Sequence, residues 1–214
     1  MHTTRGTTMA TLDERGQLGC GPLTERYDEA LAYAARHHRD QLRKGSRVPY
    51  LSHLMSVSAL VLEHGGTEDQ AIAGLLHDAV EDAPPGEGPV VLADLEQRFG
   101  ADVAGVVAAC SDSANDGREG KAPWRERKEQ YIAGLTTKRE DALLVTACDK
   151  IHNGSRIAVD VRTFGPDFWT TFNAGREDLV WYYGSCSEVL SDRLPGTTAA
   201  LQLARVVEDL AGTS

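Results

Sequence analysis

Apolar residues along this chain recur mainly at intervals of three and four, the spacing of an amphipathic helix with one buried face. From Thr24, the stretch TERYDEALAYAARHHRDQLR sets Tyr27, Leu31, Ala34, Ala35 and His38 on one stripe, with Thr24 as N-cap. RKGSRVPY then breaks the helix, because Gly45 and Pro49 do not sit cheaply inside one. LSHLMSVSALVLEHGG reads as a second helix stopped by Gly65 and Gly66. A third is expected over Thr67 to Asp82, opened by a Thr67–Gln70 capping box, with a wide apolar face of Ala71, Ile72, Leu75, Leu76, Ala79 and Val80. A helix that apolar is mostly buried.

APPGEGP is a loop. VVLADLEQRFG and ADVAGVVAACSD read as two short helices joined at Gly100, and SANDGREGKAP as a polar surface loop. PWRERKEQYIAGL starts a further helix behind Pro123. Residues 139–159 are apolar first and polar in the middle. Two more helices are expected at roughly 167–194 and 197–211, around Trp169, Trp181, Tyr182 and Tyr183. No alternating strand pattern or repeat recurs, so the expected class is all-α. Residues 1–22, rich in Thr and Gly, are expected to form a flexible extension, and 23–214 one domain.

Charge and cysteine content narrow the partners. A formal net charge of −10 argues against sequence-independent binding to nucleic acid, although a local basic patch can still hold a phosphorylated small molecule. Cys20, Cys110, Cys148 and Cys186 lie far apart without a CxxC pair, so neither a disulfide framework nor a zinc ribbon is expected. No signal-peptide core or membrane-length apolar run is present. The expectation is a soluble, cytoplasmic protein with reduced thiols.

The chemistry concentrates in LLHDAVEDA. There His77, Asp78, Glu81 and Asp82 cluster near the end of an otherwise apolar helix, with His77/Glu81 and Asp78/Asp82 each one turn apart. Three close carboxylates repel one another and call for positive charge, which a divalent cation supplies. Taken alone, such a cluster is more often a solvated helix end. His53 sits on a helix whose inward positions, Leu51, Leu54, Val57, Leu60 and Val61, are apolar; a lone histidine there is more often a core residue than a ligand. Asp149 follows the apolar run LLVTAC, so its helix is buried where the carboxylate appears. Lys150 points about a quarter-turn away and is not the obvious neutraliser. Together His53, His77, Asp78 and Asp149 offer two imidazoles and two carboxylates, a donor set suited to Mn²⁺, Fe²⁺, Co²⁺ or Zn²⁺.

Arg43-Lys44, Pro49-Tyr50-Leu51-Ser52-His53, Leu75 to Asp82, and Asp149-Lys150-Ile151-His152-Asn153 appear in that order. In this the chain resembles the HD-domain hydrolases of alarmones, both the hydrolase half of Rel/SpoT-type enzymes and the small Mesh-type hydrolases, from about residue 27 to 160. The resemblance implies an HD-domain helical bundle and a metal site of His53, His77, Asp78 and Asp149, typically filled by Mn²⁺. It implies that Glu81 and Asp82 assist the attacking water. It also implies that Arg43, Lys44, Ser52, Lys150 and Asn153 line or contact a nucleotide, with Tyr50 either in the pocket wall or merely packed. The reaction it implies is loss of pyrophosphate from a ribose 3′-oxygen in ppGpp.

The pattern departs from the long enzymes in two places. No synthetase or regulatory domain follows, which gives the expectation of a free-standing hydrolase. GREGKAPWRERKEQY and FNAGREDLVWYYGSC have no assignable counterpart there. Lys121, Arg125, Arg127 and Lys128 either reach a polyphosphate or form a solvated face, and Trp181 and Tyr182 are either core or pocket wall. The alternatives are a phosphatase for nucleoside monophosphates or NADPH, and, from another class, a nucleotide-binding sensor without activity. The presence of Glu81 and Asp82 beside all four candidate ligands speaks against the sensor.

Overall fold

The computed structural model describes residues 19–111 and 122–213. The N-terminal extension up to residue 18, Lys121 and most of the SANDGREGKAP loop lie outside the described residues. The described chain is helical: α1 (Glu25–His37), α2 (Leu51–Glu63), α3 (Glu68–Leu76), α4 (Gly88–Phe99), α5 (Ala101–Cys110), α6 (Trp124–Leu135), α7 (Glu140–Phe164), a 3₁₀ turn (Pro166–Thr171), α8 (Arg176–Arg193) and α9 (Thr198–Ala211). The only bridge of extended backbone among the described residues pairs Leu42 with Pro49 across the loop between α1 and α2.

The caps expected from sequence form. Thr24 accepts from the Arg26 amide at the head of α1, and Thr67 and Gln70 close a reciprocal box at the head of α3. Gly100, at φ 93°, turns the chain between α4 and α5.

Three helices differ from expectation. α1 ends at His37 rather than running on to Arg43, and the chain after it forms the loop in which Leu42 pairs with Pro49. α3 stops at Leu76 rather than Asp82, and His77–Asp82 continues as turns in which the Asp82 amide donates to the Asp78 carbonyl. Pro84 and Pro85 forbid helix beyond this point, and the His77 Nδ1–H competes for the Gly74 carbonyl at 2.9 Å. The regular one-turn alignment expected for His77/Glu81 and Asp78/Asp82 is therefore lost. The helix expected at 167–194 begins only at Arg176, because Gly165 and Pro166 impose a 3₁₀ turn first.

Two apolar cores share one long helix. The first joins α1 to α5 through Leu54, Val57, Ile72, Leu75, Leu76 and Val103, together with Val145 from the start of α7. The second joins α6 to α9 through Leu135, Ile151, Val161, Tyr183, Leu190 and Leu203. α7 runs through both, and Leu60 and Leu144 touch both. The polar middle of α7 consequently lies where the two cores meet, beside α2 and the end of α3.

That meeting requires α2 and α3 to approach closely. A Cβ on Gly74 would stand 3.1 Å from the Ser58 Cα. Ser58 is fully buried, donates to the Ala71 carbonyl and pairs with the Tyr27 hydroxyl, so it cannot retreat cheaply. Gly74→Val is expected to destabilise the protein by about 1–3 kcal/mol, lowering Tm by roughly 2–10 °C in calorimetry.

Candidate metal centre and active-site cleft

Four side chains from three segments converge at the junction of the two cores. His53, one turn into α2, is 1% exposed; His77, just past α3, is 5% exposed. Asp78 is adjacent, and Asp149 arrives from the middle of α7. The His53 Nε2 lies 3.6 Å from Asp78 Oδ2 and 3.4 Å from Asp149 Oδ1. The His77 Nε2 lies 3.1 Å and 3.8 Å from the same two oxygens. Donor atoms of His53, His77 and Asp149 all fall within 4.8 Å of one another. Ligand atoms about 2.1 Å from one ion sit roughly 3–4 Å apart, so these separations suit one small cation.

The electrostatics point the same way. Burial disfavours a charged His77, yet the Asp78 carboxylate outweighs it and draws the imidazole pKa well above the usual value. Burial likewise opposes ionisation of Asp78 and Asp149. It is overcome at Asp78 by His77 and at Asp149 chiefly by Lys150, and both are held well below the usual carboxylate range. The pocket is therefore organised around positive charge.

The hydrogen bonds behind these groups fix their direction. His77 donates from Nδ1 to the Gly74 carbonyl, so its Nε2, buried without a hydrogen-bond partner, aims at the carboxylates. An imidazole anchored this way with its other nitrogen facing two carboxylates fits a metal ligand. Tyr50 donates to Asp78 Oδ2 at 2.5 Å, and desolvation first, then the Asp78 carboxylate, push this half-buried phenol further from ionisation.

Asp149 is gripped at both oxygens. Asn153 donates to Oδ1 at 2.5 Å and in turn accepts from Arg43 at 2.8 Å. Lys150 donates to Oδ2 at 2.7 Å. This corrects the expectation that Lys150 points away: its four-carbon stem curls back, and its ammonium lies 4.8 Å from the Tyr131 ring and 5.7 Å from that of Tyr182. Lys150 thus faces Asp149 rather than open solvent.

Beside this centre opens a cleft of about 570 Å³. Arg43, Lys44, Ser52 and Asn153, all singled out from sequence, line it. So do Tyr50 and Tyr182, whose place sequence left open, and Lys128, Arg156, Trp124, Phe168 and Phe172. The Arg43 guanidinium lies 5.8 Å from the Tyr50 ring, and the Lys44 ammonium 5.7 Å from the Phe172 ring. A locally cationic, aromatic cleft thus exists in a chain of net charge −10. Of the other α6 cations, Arg125 stacks on Trp181 and pairs with Glu129 and Asp178, and Arg127 donates to the Ala122 carbonyl.

Glu81 and Asp82 are exposed on the turn beyond Asp78, and Asp82 accepts from the Gln41 amide at 2.8 Å. Sequence reasoning gave no role to His152. Its Nδ1 lies 2.8 Å from His53 Nδ1, and burial first, then His53 and Arg43, lower its pKa to about 4. A neutral His152 can accept from His53 Nδ1–H, leaving His53 Nε2 free to face the carboxylates. The available signal was its place three residues after Asp149 on one helix.

A family model described as HD domain matches residues 30–179. Over 177 residues the chain is 29% identical to a guanosine-3′,5′-bis(diphosphate) 3′-pyrophosphohydrolase, MESH1, of Xenopus tropicalis, covering 81% of this chain and 87% of that protein. It is 32% identical over 126 residues to a GTP pyrophosphokinase of Streptomyces antibioticus, but spans only 14% of that larger protein. A solved structure described as a metazoan ortholog of SpoT that hydrolyzes ppGpp superposes with a TM-score of 0.66 at 26% identity, covering 91% of this chain and all of that one. A Listeria monocytogenes structure, lmo0812, gives 0.60 at 25% identity over 73% and 96% of the two chains.

The site's charges set how metal-free protein responds to pH. Asp78 and Asp149, with lowered folded pKa values, contribute stability that is present above about pH 4 and lost in acid. His77, with a raised folded pKa, contributes stability complete below about pH 6.5 and lost as pH rises through its folded value. EDTA-treated protein is therefore expected to lose Tm on both sides of this window, and Asp149→Asn to flatten the acid limb in scanning calorimetry.

Proposed function

The chain belongs to the HD-domain family of metal-dependent phosphohydrolases, and from that premise we propose that it removes pyrophosphate from the 3′ position of guanosine 3′,5′-bis(diphosphate). The observation that carries this reading is the convergence of two imidazoles and two carboxylates beside a cationic, aromatic cleft of nucleotide size. Similarity to the Xenopus hydrolase over most of both chains supports the substrate class.

In this reading His53, His77, Asp78 and Asp149 hold a divalent cation, Mn²⁺ in preference to Fe²⁺, Co²⁺ or Zn²⁺. The donor set, imidazole with carboxylate and no thiolate, suits all four ions, and the resemblance to the alarmone hydrolases is what favours Mn²⁺. When bound, such an ion lowers the pKa of a coordinated water and polarises a phosphate oxygen. The residues around it supply the rest. Lys150 balances one of the two carboxylates, while Tyr50, Asn153 and His152 keep Asp78, Asp149 and His53 in their orientations.

Glu81 and Asp82, on the turn that leaves the centre, exchange protons with the attacking water and the leaving ribose 3′-oxygen. Arg43 and Lys44, with Lys128 and Arg156, offset the substrate's phosphate charge, and the aromatic rings of the cleft take the base. Ser52 lines the same wall. Water adds to phosphorus, the bond from phosphorus to the ribose 3′-oxygen breaks, and the products are GDP and pyrophosphate. The substrate is a small nucleotide, and no helix among the described residues is long and apolar enough to cross a membrane.

The test incubates metal-free protein with ppGpp, with and without Mn²⁺, and separates the products by ion exchange. Mn²⁺-dependent release of equal amounts of GDP and pyrophosphate is expected. Absence of turnover, with phosphate instead released from a nucleoside monophosphate or NADPH, would discard the alarmone reading while keeping the hydrolase. Asp149→Asn and His77→Ala are each expected to lower Mn²⁺ affinity by at least tenfold in calorimetric titration and to remove turnover.

A further inference from the structure

Asp82 does not stand alone on its turn. Gln41, in the loop after α1, donates from Nε2 to Asp82 Oδ2 at 2.8 Å, and its Oε1 lies 2.6 Å from His38 Nδ1. Only one assignment of protons satisfies this chain. A carboxylate accepts and does not donate, so Gln41 must present its NH₂ to Asp82 and its carbonyl to His38. That carbonyl accepts only, so His38 must carry its proton on Nδ1. Burial holds His38 below its usual pKa, which leaves the ring neutral with a single N–H.

His38 is a poor choice for packing alone. It caps α1, is 3% exposed, and its Nε2 is buried without a hydrogen-bond partner among the described residues. An orphaned buried acceptor costs stability that an apolar side chain would not. Its ring lies 5.4 Å from that of Tyr50, whose hydroxyl holds Asp78. One buried ring thus underlies both Asp82, through Gln41, and Asp78, through Tyr50. The loop is itself pinned: the Tyr50 amide donates to the Gln41 carbonyl, and Leu42 pairs with Pro49.

We infer that Gln41, fixed by His38, is a positioning residue that orients Asp82, making Asp82 the proton acceptor of the pair Glu81 and Asp82. The inference rests on the catalytic role proposed above for that pair. The Asp82 carboxylate accepts the Gln41 amide at Oδ2. Its second oxygen is then the one available to take a proton from water.

The test is a double-mutant cycle in Mn²⁺-loaded protein at pH 8, reading kcat and KM for ppGpp with Mn²⁺ affinity and Tm alongside. Gln41→Met keeps length and removes both polar groups. Gln41→Glu keeps length and an acceptor for His38 but removes the donor to Asp82. Both are expected to lower kcat by about 10- to 100-fold with KM and Mn²⁺ affinity nearly unchanged, and to lower Tm by a few degrees, because His38 loses its partner in Gln41→Met and two carboxylates meet in Gln41→Glu. In an Asp82→Asn background, followed under single turnover, Gln41→Met is expected to cost nothing further, because the group it orients has gone. An equal loss in both backgrounds would overturn the inference, as would wild-type kcat in Gln41→Glu. Full activity in Asp82→Asn alone would instead remove the catalytic reading of Asp82 on which the inference stands.

Discussion

Two half-buried carboxylates, Asp78 and Asp149, stand at the seam between two apolar cores, and much of the neighbouring structure is arranged around the cost of placing them there. A buried carboxylate without a partner is strongly destabilising, and two in one pocket repel. Lys150 reaches back along its own helix to cancel one charge, held between the rings of Tyr131 and Tyr182. Tyr50 and Asn153 spend their donors on the carboxylate oxygens. One positive charge is still wanting. A protonated His77 fills the gap in metal-free protein; a divalent cation fills it and leaves one positive charge over. That surplus is what a hydroxide or a phosphate oxygen would meet.

The fold delivers these groups by letting one helix belong to two cores. α7 carries Val145 into the first core and Ile151 and Val161 into the second, and Asp149 falls between them. Gly74 lets α3 close on α2, bringing His77 to His53, and the turn after Leu76 carries Asp78 into place. The same turn leads Glu81 and Asp82 outward, where both are exposed to solvent. An uninterrupted helix would have kept all four polar residues in strict register and left no freedom to place two inward and two outward.

Most of the helical architecture was legible in the chain, because amphipathic spacing and capping residues are local signals. Thr24, Thr67 and Gly100 act where their chemistry says they should. The four residues around the centre stood out as polar groups on otherwise apolar helices, but taken singly they read as a helix end and a core histidine, and it was the family resemblance that joined them into one ligand set. What local spacing could not give was the end of α3, which depends on Pro84, Pro85 and the side-chain bond of His77. Nor could it give the reach of Lys150, whose long stem overrides the direction of its Cα. His152, Gln41 and His38 were missed for a related reason: each acts through another side chain, and the partnerships of His152 with His53 and of Gln41 with Asp82 span dozens of residues. The 3₁₀ turn before α8 was hidden because Phe168 and Trp169 read as apolar whether they lie in a helix or not.

On the proposed reading, the seam holds one cation and the reaction occurs beside it. Crystals grown with Mn²⁺, measured at the manganese absorption edge, test this directly. One anomalous peak bounded by His53 Nε2, His77 Nε2, Asp78 and Asp149, open on the side facing the cleft, is the predicted result. A peak held by other residues, or none at saturating Mn²⁺, would contradict it and leave the buried carboxylates as a structural ion-pair network.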